Sequence, residues 1–248
     1  MKQYEAVIQT IDTLGGIATL QQLNQEVFKI KDCKWNTKTP FASIRRIVQQ
    51  TKGIYKIKPG LYALEDYRKQ LEEKGIIVET EKNKDSKDII NFNHSYYQGL
   101  LLSIGNMKGL RTFAPNQDKN KPFANQKIDD IRTLHEIPKF SYSQFVQRSS
   151  TIDVIWFNER LMPDSFFEVE HSTDITNSLQ KFNDLHDFHT KMYIVADIKR
   201  LEEFKKKLNY VSFNFISKEK RVKFLSYNDL EKQYEQIIAK QNFQTLII

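Results

Sequence analysis

Residues 151–188 contain two apolar, strand-like runs followed by an amphipathic helix, and this order constrains the fold more than any other feature. The runs TIDVIWF and DSFFEVEHS are separated by a short loop that holds Pro163, the length expected for an antiparallel hairpin. The helix that follows repeats apolar side chains at helical spacing: Ile175, Leu179, Phe182, Leu185 and Phe188. The next run, MYIVAD, predicts a buried strand. This region therefore predicts an α/β domain.

The remaining elements extend this pattern on both sides. The run SYYQGLLLSIGNMKG predicts a helix and LRTFAPN a strand, whereas residues 115–150 predict loops with short helices. After MYIVAD, we expect a helix in RLEEFKKKL, a strand in YVSFNFIS and a terminal helix in YNDLEKQYEQIIAKQ. We therefore expect a mixed central sheet flanked by helices over residues 92–248.

Acidic side chains interrupt the two apolar runs. Glu168 and Glu170 point to the same side of their strand because alternate residues share a face, and hairpin pairing brings Asp153 beside them. Like charges this close are destabilising unless a cation neutralises them or a pKa rises. Three converging carboxylates indicate a site for a hard divalent ion such as Mg²⁺. The alternative is that the glutamates line the solvated face of an edge strand while Asp153 caps a turn.

A helix begins directly after the acidic strand. The connecting residues are His171, Ser172, Thr173 and Asp174. The N-terminus of a helix offers free N–H groups and a partial positive charge, which favour a phosphate. This position favours the interpretation of the acidic residues as a site for a phosphodiester over their interpretation as the solvated face of an edge strand.

The first 67 residues predict a different module. A helix ends at Gly15-Gly16, Thr19 is placed to cap a second helix, and Thr39-Pro40 is placed to start a third. Pro59-Gly60 then supplies a turn between two short strands. Three helices followed by a hairpin is the order of a winged helix-turn-helix.

Charge and composition divide the 248-residue chain in the same way. Residues 1–67 hold 10 basic and 6 acidic side chains, residues 68–91 hold 6 of each, and residues 92–248 hold 22 and 19. We therefore expect a winged-helix domain over 1–67, a charged linker or helical extension over 68–91, and an α/β domain over 92–248. The net charge of +7 points weakly to a nucleic-acid partner.

Composition also excludes several classes of protein. A single cysteine, Cys33, cannot form an internal disulfide or a thiolate zinc cluster. The first helix carries Glu5 and Asp12 among its apolar residues, which is unlike a signal peptide. No run approaches the ~18 apolar residues that span a bilayer. We expect a cytoplasmic protein with no membrane partner.

The order helix, strand, Asp-bearing strand, Glu-x-Glu strand, helix, strand resembles the PD-(D/E)XK nuclease superfamily, especially its restriction endonuclease-like members. The resemblance covers residues 92–230. It makes Asp153 in TIDVIW the first motif acid and Glu168 in FFEVE the second. The superfamily usually has Lys two residues later, where this chain has Glu170. Members often carry Glu or Gln on the helix before the Asp strand. His94 and Gln98 occupy that stretch here, and Gln98 is the better candidate, the alternative being a solvent-facing polar residue.

The resemblance implies Mg²⁺-dependent hydrolysis of a phosphodiester. Asp153, Glu168 and the Val169 carbonyl would hold one ion, and Glu170 would accept a proton from water or help to hold a second. We favour the two-ion interpretation. Lys181 would supply the missing positive charge, and His171 would contact a phosphate or act as a general base; the alternative for both is a solvated side chain.

The run KTPFASIRRIVQQTKGIYKIKPGLYAL resembles the HARE-type winged helix, which implies DNA binding by residues 2–65. Arginine and glutamine on the third helix suit base edges in the major groove, and lysines on the wing suit phosphates. The candidates are Ser43, Arg45, Arg46, Gln49, Gln50, Lys52, Lys56 and Lys58. The alternative is that the wing packs on the catalytic domain and serves only assembly.

Together these features predict a Mg²⁺-dependent type II restriction endonuclease that cuts double-stranded DNA at a specific site. Expected partners are DNA, a second copy of the chain and a companion DNA methyltransferase. The alternatives are a modification-dependent or repair nuclease and a non-catalytic DNA-binding regulator with a degenerate nuclease fold.

Overall fold

The computed structural model describes residues 1–246 and divides them into two compact units. The N-terminal unit contains residues 1–92 together with the chain from Tyr234 onward, and the central unit contains Asn93–Gln233. In this division, residues 68–91 lie with residues 1–67, and the later part of the last helix belongs to the same unit. None of the helices within residues 1–246 is long and apolar enough to cross a membrane.

The N-terminal unit begins with three helices and a small sheet. Its elements are α1 (Gln3–Thr13), β1 (Ile17–Thr19), α2 (Leu20–Glu26), α3 (Pro40–Gln50), β2 (Ile54–Lys58), β3 (Leu61–Leu64) and α4 (Arg68–Glu73). The strands form an antiparallel sheet in the order β1-β3-β2. The expected helix starts at Leu20 and Pro40 and the hairpin around Pro59-Gly60 are confirmed.

Local chemistry explains these boundaries. Thr19 and Gln22 form a capping box at the start of α2, in which each side chain accepts a hydrogen bond from the other residue's backbone N–H. Pro40 opens α3, where its missing N–H has no cost. Ile44 and Val48 on α3 are buried against Val7 and Ile11 of α1 in the core of this unit.

The chain from residue 87 forms the remaining elements. They are α5 (Lys87–Met107), β4 (Arg111–Phe113), β5 (Pro122–Phe123), β6 (Gln126–Lys127), α6 (Ile128–Ile131), α7 (Ser143–Ser149), β7 (Val154–Phe157), β8 (Pro163–Glu170), α8 (Ile175–Asp184), β9 (Lys191–Ala196), α9 (Leu201–Leu208), α10 (Asn214–Lys218), β10 (Val222–Ser226) and α11 (Tyr227–Leu246). The second half of α11 belongs to the N-terminal unit, where buried Tyr234 donates a hydrogen bond to Gln21.

A five-stranded mixed sheet organises the central unit. The strand order is β10-β9-β8-β7-β4; β10, β9 and β8 run parallel, and β7 is antiparallel to both β8 and β4. The expected α/β class, the hairpin of β7 with β8, and the following helix are confirmed. The apolar face of α8, with Ile175, Leu179 and Phe182, is fully buried in the core of this unit.

Two glycines allow close packing of α5. A Cβ at Gly99 would overlap the ring of Phe123, and one at Gly105 would lie 2.5 Å from Cγ2 of Thr112 and 2.6 Å from Nε1 of Trp156. Phe123 belongs to the ribbon β5–β6, and Thr112 and Trp156 belong to the sheet. The β5–β6 ribbon and the sheet therefore approach α5 more closely than any residue larger than glycine at positions 99 and 105 would allow.

The strand expected in YVSFNFIS is wrong. These residues form a 3-10 turn over Val211–Phe213 and then α10, and the outer strand of the sheet is β10 instead. Phe213 and Ile216 are buried, whereas Val211 and Phe215 are exposed. The buried pair is three residues apart, which is helical spacing, so the apparent alternation of apolar residues misled the prediction.

Candidate active site

The hairpin of β7 and β8 brings the first two predicted acids together. Val154 pairs with Phe167, so Asp153, one residue before β7, lies opposite Glu168. The backbone N–H of Val169 donates to Oδ2 of Asp153 at 2.8 Å. Glu168 is only 2% exposed. Two carboxylates therefore meet at this end of the hairpin, as the expected pairing of the two strands predicts.

Lys181 on α8 completes this cluster. Its Nζ lies 2.8 Å from Oε2 and 3.0 Å from Oε1 of Glu168, and it also donates to the carbonyl of Thr151 at 2.8 Å. The Thr151 carbonyl precedes Asp153 by two residues. The ammonium group is therefore held between the loop before β7 and the acidic end of β8.

Glu170 has a different set of partners. Its carboxylate accepts hydrogen bonds from the hydroxyls of Thr173 and Ser178, and Nη1 of Arg200 lies 3.8 Å from its Oε2. The Ser178 hydroxyl also contacts Oε2 of Glu168 at 2.9 Å, so one buried serine links both glutamates. Within residues 1–246, no three His, Cys, Asp or Glu side chains form a set that could hold a metal ion. Asp153 and Glu168 thus form a pair, and Glu170 is turned toward its own donors.

Burial and charge set the protonation of the pair. Burial raises the pKa of Glu168 well above its ordinary value, and the negative charge of Asp153 adds to this rise, while Lys181 opposes it. Burial also acts to raise the pKa of Asp153. The hydrogen bond and charge of His94, together with the N–H of Val169, outweigh burial and hold that pKa below its ordinary value. Asp153 is therefore the more acidic member of the pair.

Helix α5 contributes Gln98 and His94 to the same place. Nε2 of Gln98 donates to the carbonyl of Asp153 at 2.8 Å and to Oδ2 of Asp118 at 2.9 Å. Nε2 of His94 lies 3.4 Å from Oδ2 of Asp153. Gln98, the predicted helix residue, is therefore fully buried and in contact with the main chain of the motif Asp.

His171 lies on the loop after β8. Its ring stacks near that of Tyr227, with centroids 6.5 Å apart, and the Tyr227 hydroxyl donates to the carbonyl of Glu170 at 3.1 Å. Of the predicted accessory residues, Gln98 and Lys181 contact the acidic pair directly. His171 follows the last residue of strand β8.

The predicted DNA contacts of the N-terminal unit fall into two groups. Arg45 forms an ion pair with Glu235 of α11, Lys58 pairs with Glu79 at 2.6 Å, and Gln49 interacts with the Tyr62 hydroxyl. Arg46, Gln50, Lys52 and Lys56 are exposed, and Ser43 is half-buried. The first group is engaged within the protein, and the second remains open to a partner.

Three residues of the site were not expected from the sequence. They are Ser178, Arg200 and Asp118, which contact the glutamates or Gln98. Ser178 had a detectable signal, because it precedes Lys181 by three residues and so shares its face of α8. No signal in the sequence indicated Asp118, because an irregular segment separates it from Gln98.

Comparison with known proteins identifies the family. Residues 75–247, more than two thirds of the chain, match the family described as Type II restriction enzyme NmeDI C-terminal domain. Over 159 residues, 60% of this chain, the sequence is 30% identical to the type II restriction enzyme NmeDI of Neisseria meningitidis serogroup C. That alignment covers 44% of the relative, so this chain spans less than half of the relative's length. No solved structure matches the chain. The chain belongs to the family of the NmeDI C-terminal domain.

Proposed function

We propose that this protein is a Mg²⁺-dependent endonuclease of the type II restriction class that cuts double-stranded DNA at a specific site. The observation that carries the proposal is the cluster of Asp153, Glu168 and Lys181 at the end of the β7–β8 hairpin. Its placement in a chain of a restriction enzyme family supports the same reaction.

The order of elements supports a PD-(D/E)XK site. Helix α5, strands β4, β7 and β8, helix α8 and strand β9 follow one another as in that superfamily, with Asp153 before the second strand and Glu168 on the third. Lysine is missing at position 170, but the ammonium of Lys181 reaches Glu168 from the next helix. The cation that the motif lacks is thus supplied from a different position in the sequence.

The donor set fits Mg²⁺. This ion prefers oxygen ligands, keeps several waters and is bound through one or two carboxylates plus substrate phosphates. Asp153 and Glu168 supply two carboxylates, of which Glu168 is buried and Asp153 is partly buried, and we assign the Val169 carbonyl as the third protein ligand. Bound there, the ion would polarise the scissile phosphate and lower the pKa of a water molecule. Glu170 is the candidate for a second ion.

The chain's own residues perform the remaining tasks. The N–H of Val169 fixes the carboxylate of Asp153, and the Ser178 hydroxyl orients Glu168 and Glu170 together. The ammonium of Lys181 offers positive charge where negative charge develops on a phosphate. Because Glu168 is buried and Asp153 and Lys181 are partly buried, these interactions are screened less than at a fully exposed surface.

We assign target recognition to the N-terminal unit as a winged helix. The order α1, β1, α2, α3 and the β2–β3 hairpin supports this assignment. Arg46 and Gln50 on α3 suit base edges, and Lys52 and Lys56 suit phosphates. The engaged residues Arg45 and Lys58 contribute less.

The test is cleavage of plasmid and genomic DNA in Mg²⁺ by the wild type and by Asp153→Asn and Glu168→Gln variants. We expect both substitutions to abolish cleavage and leave DNA binding measurable, because each removes an ion ligand but no DNA contact. Glu202→Gln, at an exposed acid on α9, is the matched control and should cut normally. Normal cutting by either site variant would overturn the assignment.

The glutamate at position 170 favours a second candidate, a DNA-binding regulator without catalysis. Under this alternative, the wild type nicks no plasmid with any divalent metal ion yet still binds DNA.

A comparison of methylated and unmethylated DNA in the same assay identifies a modification-dependent nuclease.

A further inference from the structure

The amide of Gln98 is fixed between two oxygen acceptors. Its Nε2 donates to the backbone carbonyl of Asp153 at 2.8 Å and to Oδ2 of Asp118 at 2.9 Å. Because neither acceptor can donate a proton when Asp118 is ionised, the NH₂ end must face them. The orientation of this amide is therefore determined by its chemistry.

The opposite end of the amide is an unsatisfied acceptor. Oε1 of Gln98 is buried and accepts no hydrogen bond from the described residues. Buried acceptors are nearly always paired, and an exception calls for a partner that binds there. Oε1 can therefore accept a hydrogen bond from an ordered water molecule.

Asp118 enforces this arrangement. It is 4% exposed and lies in the 3-10 turn Asn116–Asp118. Its Oδ1 pairs with Nζ of Lys121 at 2.6 Å, which leaves Oδ2 for Gln98. A hydrogen bond to a carboxylate is stronger than one to a neutral acceptor, so Asp118 makes the reversed amide unfavourable.

We propose that Asp118 is a positioning residue of the nuclease site: it fixes the amide of Gln98 so that Nε2 supports the main chain at Asp153, a proposed ion ligand. This inference rests on the proposed function. Asp118 itself touches neither substrate nor ion in this proposal, and its effect passes through Gln98.

The experiment measures Mg²⁺ affinity in the full-length protein by two routes. Titration calorimetry without DNA gives the dissociation constant for Mg²⁺, and cleavage assays give the Mg²⁺ concentration for half-maximal rate. The variants are Asp118→Ala, which removes the acceptor, and Asp118→Asn, whose carbonyl can still accept from Nε2. Glu136→Gln, at an exposed acid in the same segment, is the control for loss of one negative charge.

We expect Asp118→Ala to weaken Mg²⁺ binding and raise the half-maximal concentration by roughly tenfold, the effect typical of removing a residue that orients a metal ligand. Asp118→Asn should recover most of the affinity, and Glu136→Gln should match the wild type. DNA affinity should be unchanged in all three.

Wild-type Mg²⁺ dependence in Asp118→Ala would overturn the positioning role while leaving the proposed function intact. A uniform loss of folding, DNA binding and rate at unchanged Mg²⁺ dependence would also overturn it. A wild-type protein that neither binds Mg²⁺ nor cuts DNA would overturn the proposed function and this inference together.

Discussion

Nζ of Lys181 lies 2.8 Å from Oε2 of Glu168, although the two residues belong to different elements, α8 and β8. Helix α8 starts shortly after β8 ends and packs back on the sheet, so its second turn passes the acidic end of the strand. A lysine there can take the place of one on the strand. The Glu-x-Glu sequence is therefore compatible with lysine-assisted chemistry.

Replacement of Lys181 by Met tests this role. We expect Lys181→Met to slow DNA cleavage by roughly 100-fold, because removing one group that stabilises transition-state charge has an effect of about this size. Single-turnover assays at saturating DNA measure the change. Lys205→Met, at an exposed lysine of α9, is the control. A cleavage rate that stays normal in Lys181→Met would show that the ammonium is structural.

The stabilisation that Asp174 gives to the start of α8 should decrease at acidic pH. Ion pairing with Lys207 and the hydrogen bond from the N–H of Thr176 hold the pKa of Asp174 below its ordinary value. The stabilisation is therefore complete above the unfolded pKa and is lost as the pH falls toward the lower folded pKa. We expect Asp174→Asn to lower the thermal unfolding midpoint at neutral pH and to approach the wild type in acid. A constant difference at all pH values would contradict this.

The capping box at Thr19 should stabilise the N-terminal unit. The substitution Thr19→Ala removes the acceptor for the N–H of Gln22 and should cost about 1 kcal/mol in the free energy of unfolding. Urea unfolding measures the loss. Thr19→Ser keeps the hydroxyl and should retain most of the stability, and equal losses in the two variants would point to the methyl group instead.

Neighbouring arginines on α3 should differ in DNA binding. Arg45 is paired with Glu235, whereas Arg46 is exposed without an ion pair among the described residues. At fixed salt and without divalent ions, we expect Arg46→Ala to weaken binding by roughly tenfold, the size of one base or phosphate contact. Arg45→Ala should weaken it less. A larger loss for Arg45→Ala would mean that DNA displaces Glu235 from Arg45.

Local pattern was sufficient to predict which acidic side chains the hairpin brings together. The alternation in FFEVE places Glu168 and Glu170 on one face, and the short loop at Pro163 fixes the pairing that brings Asp153 opposite Glu168. The helical spacing of Ile175 and Leu179 predicts the buried face of α8. These inferences depend only on neighbours in sequence or on one hairpin.

The remaining parts depend on contacts that no local pattern encodes. Asp118 meets Gln98 across an irregular segment, and Arg200 reaches Glu170 from beyond β9. Thr173 and Arg200 contact Glu170, and no local pattern indicates these contacts. In residues 210–217, burial of Phe213 and Ile216 favours a helix over the strand suggested by alternation.

Gly99 follows Gln98 on α5, and the ring of Phe123 occupies the space that a side chain at position 99 would fill. Phe123 follows Asp118 on the same short stretch of chain. A single methyl group at position 99 would overlap this ring and force the segment that carries Asp118 and Phe123 to adjust beside Gln98. Mutational tolerance at this position is therefore limited by volume, although glycine itself takes no part in the chemistry.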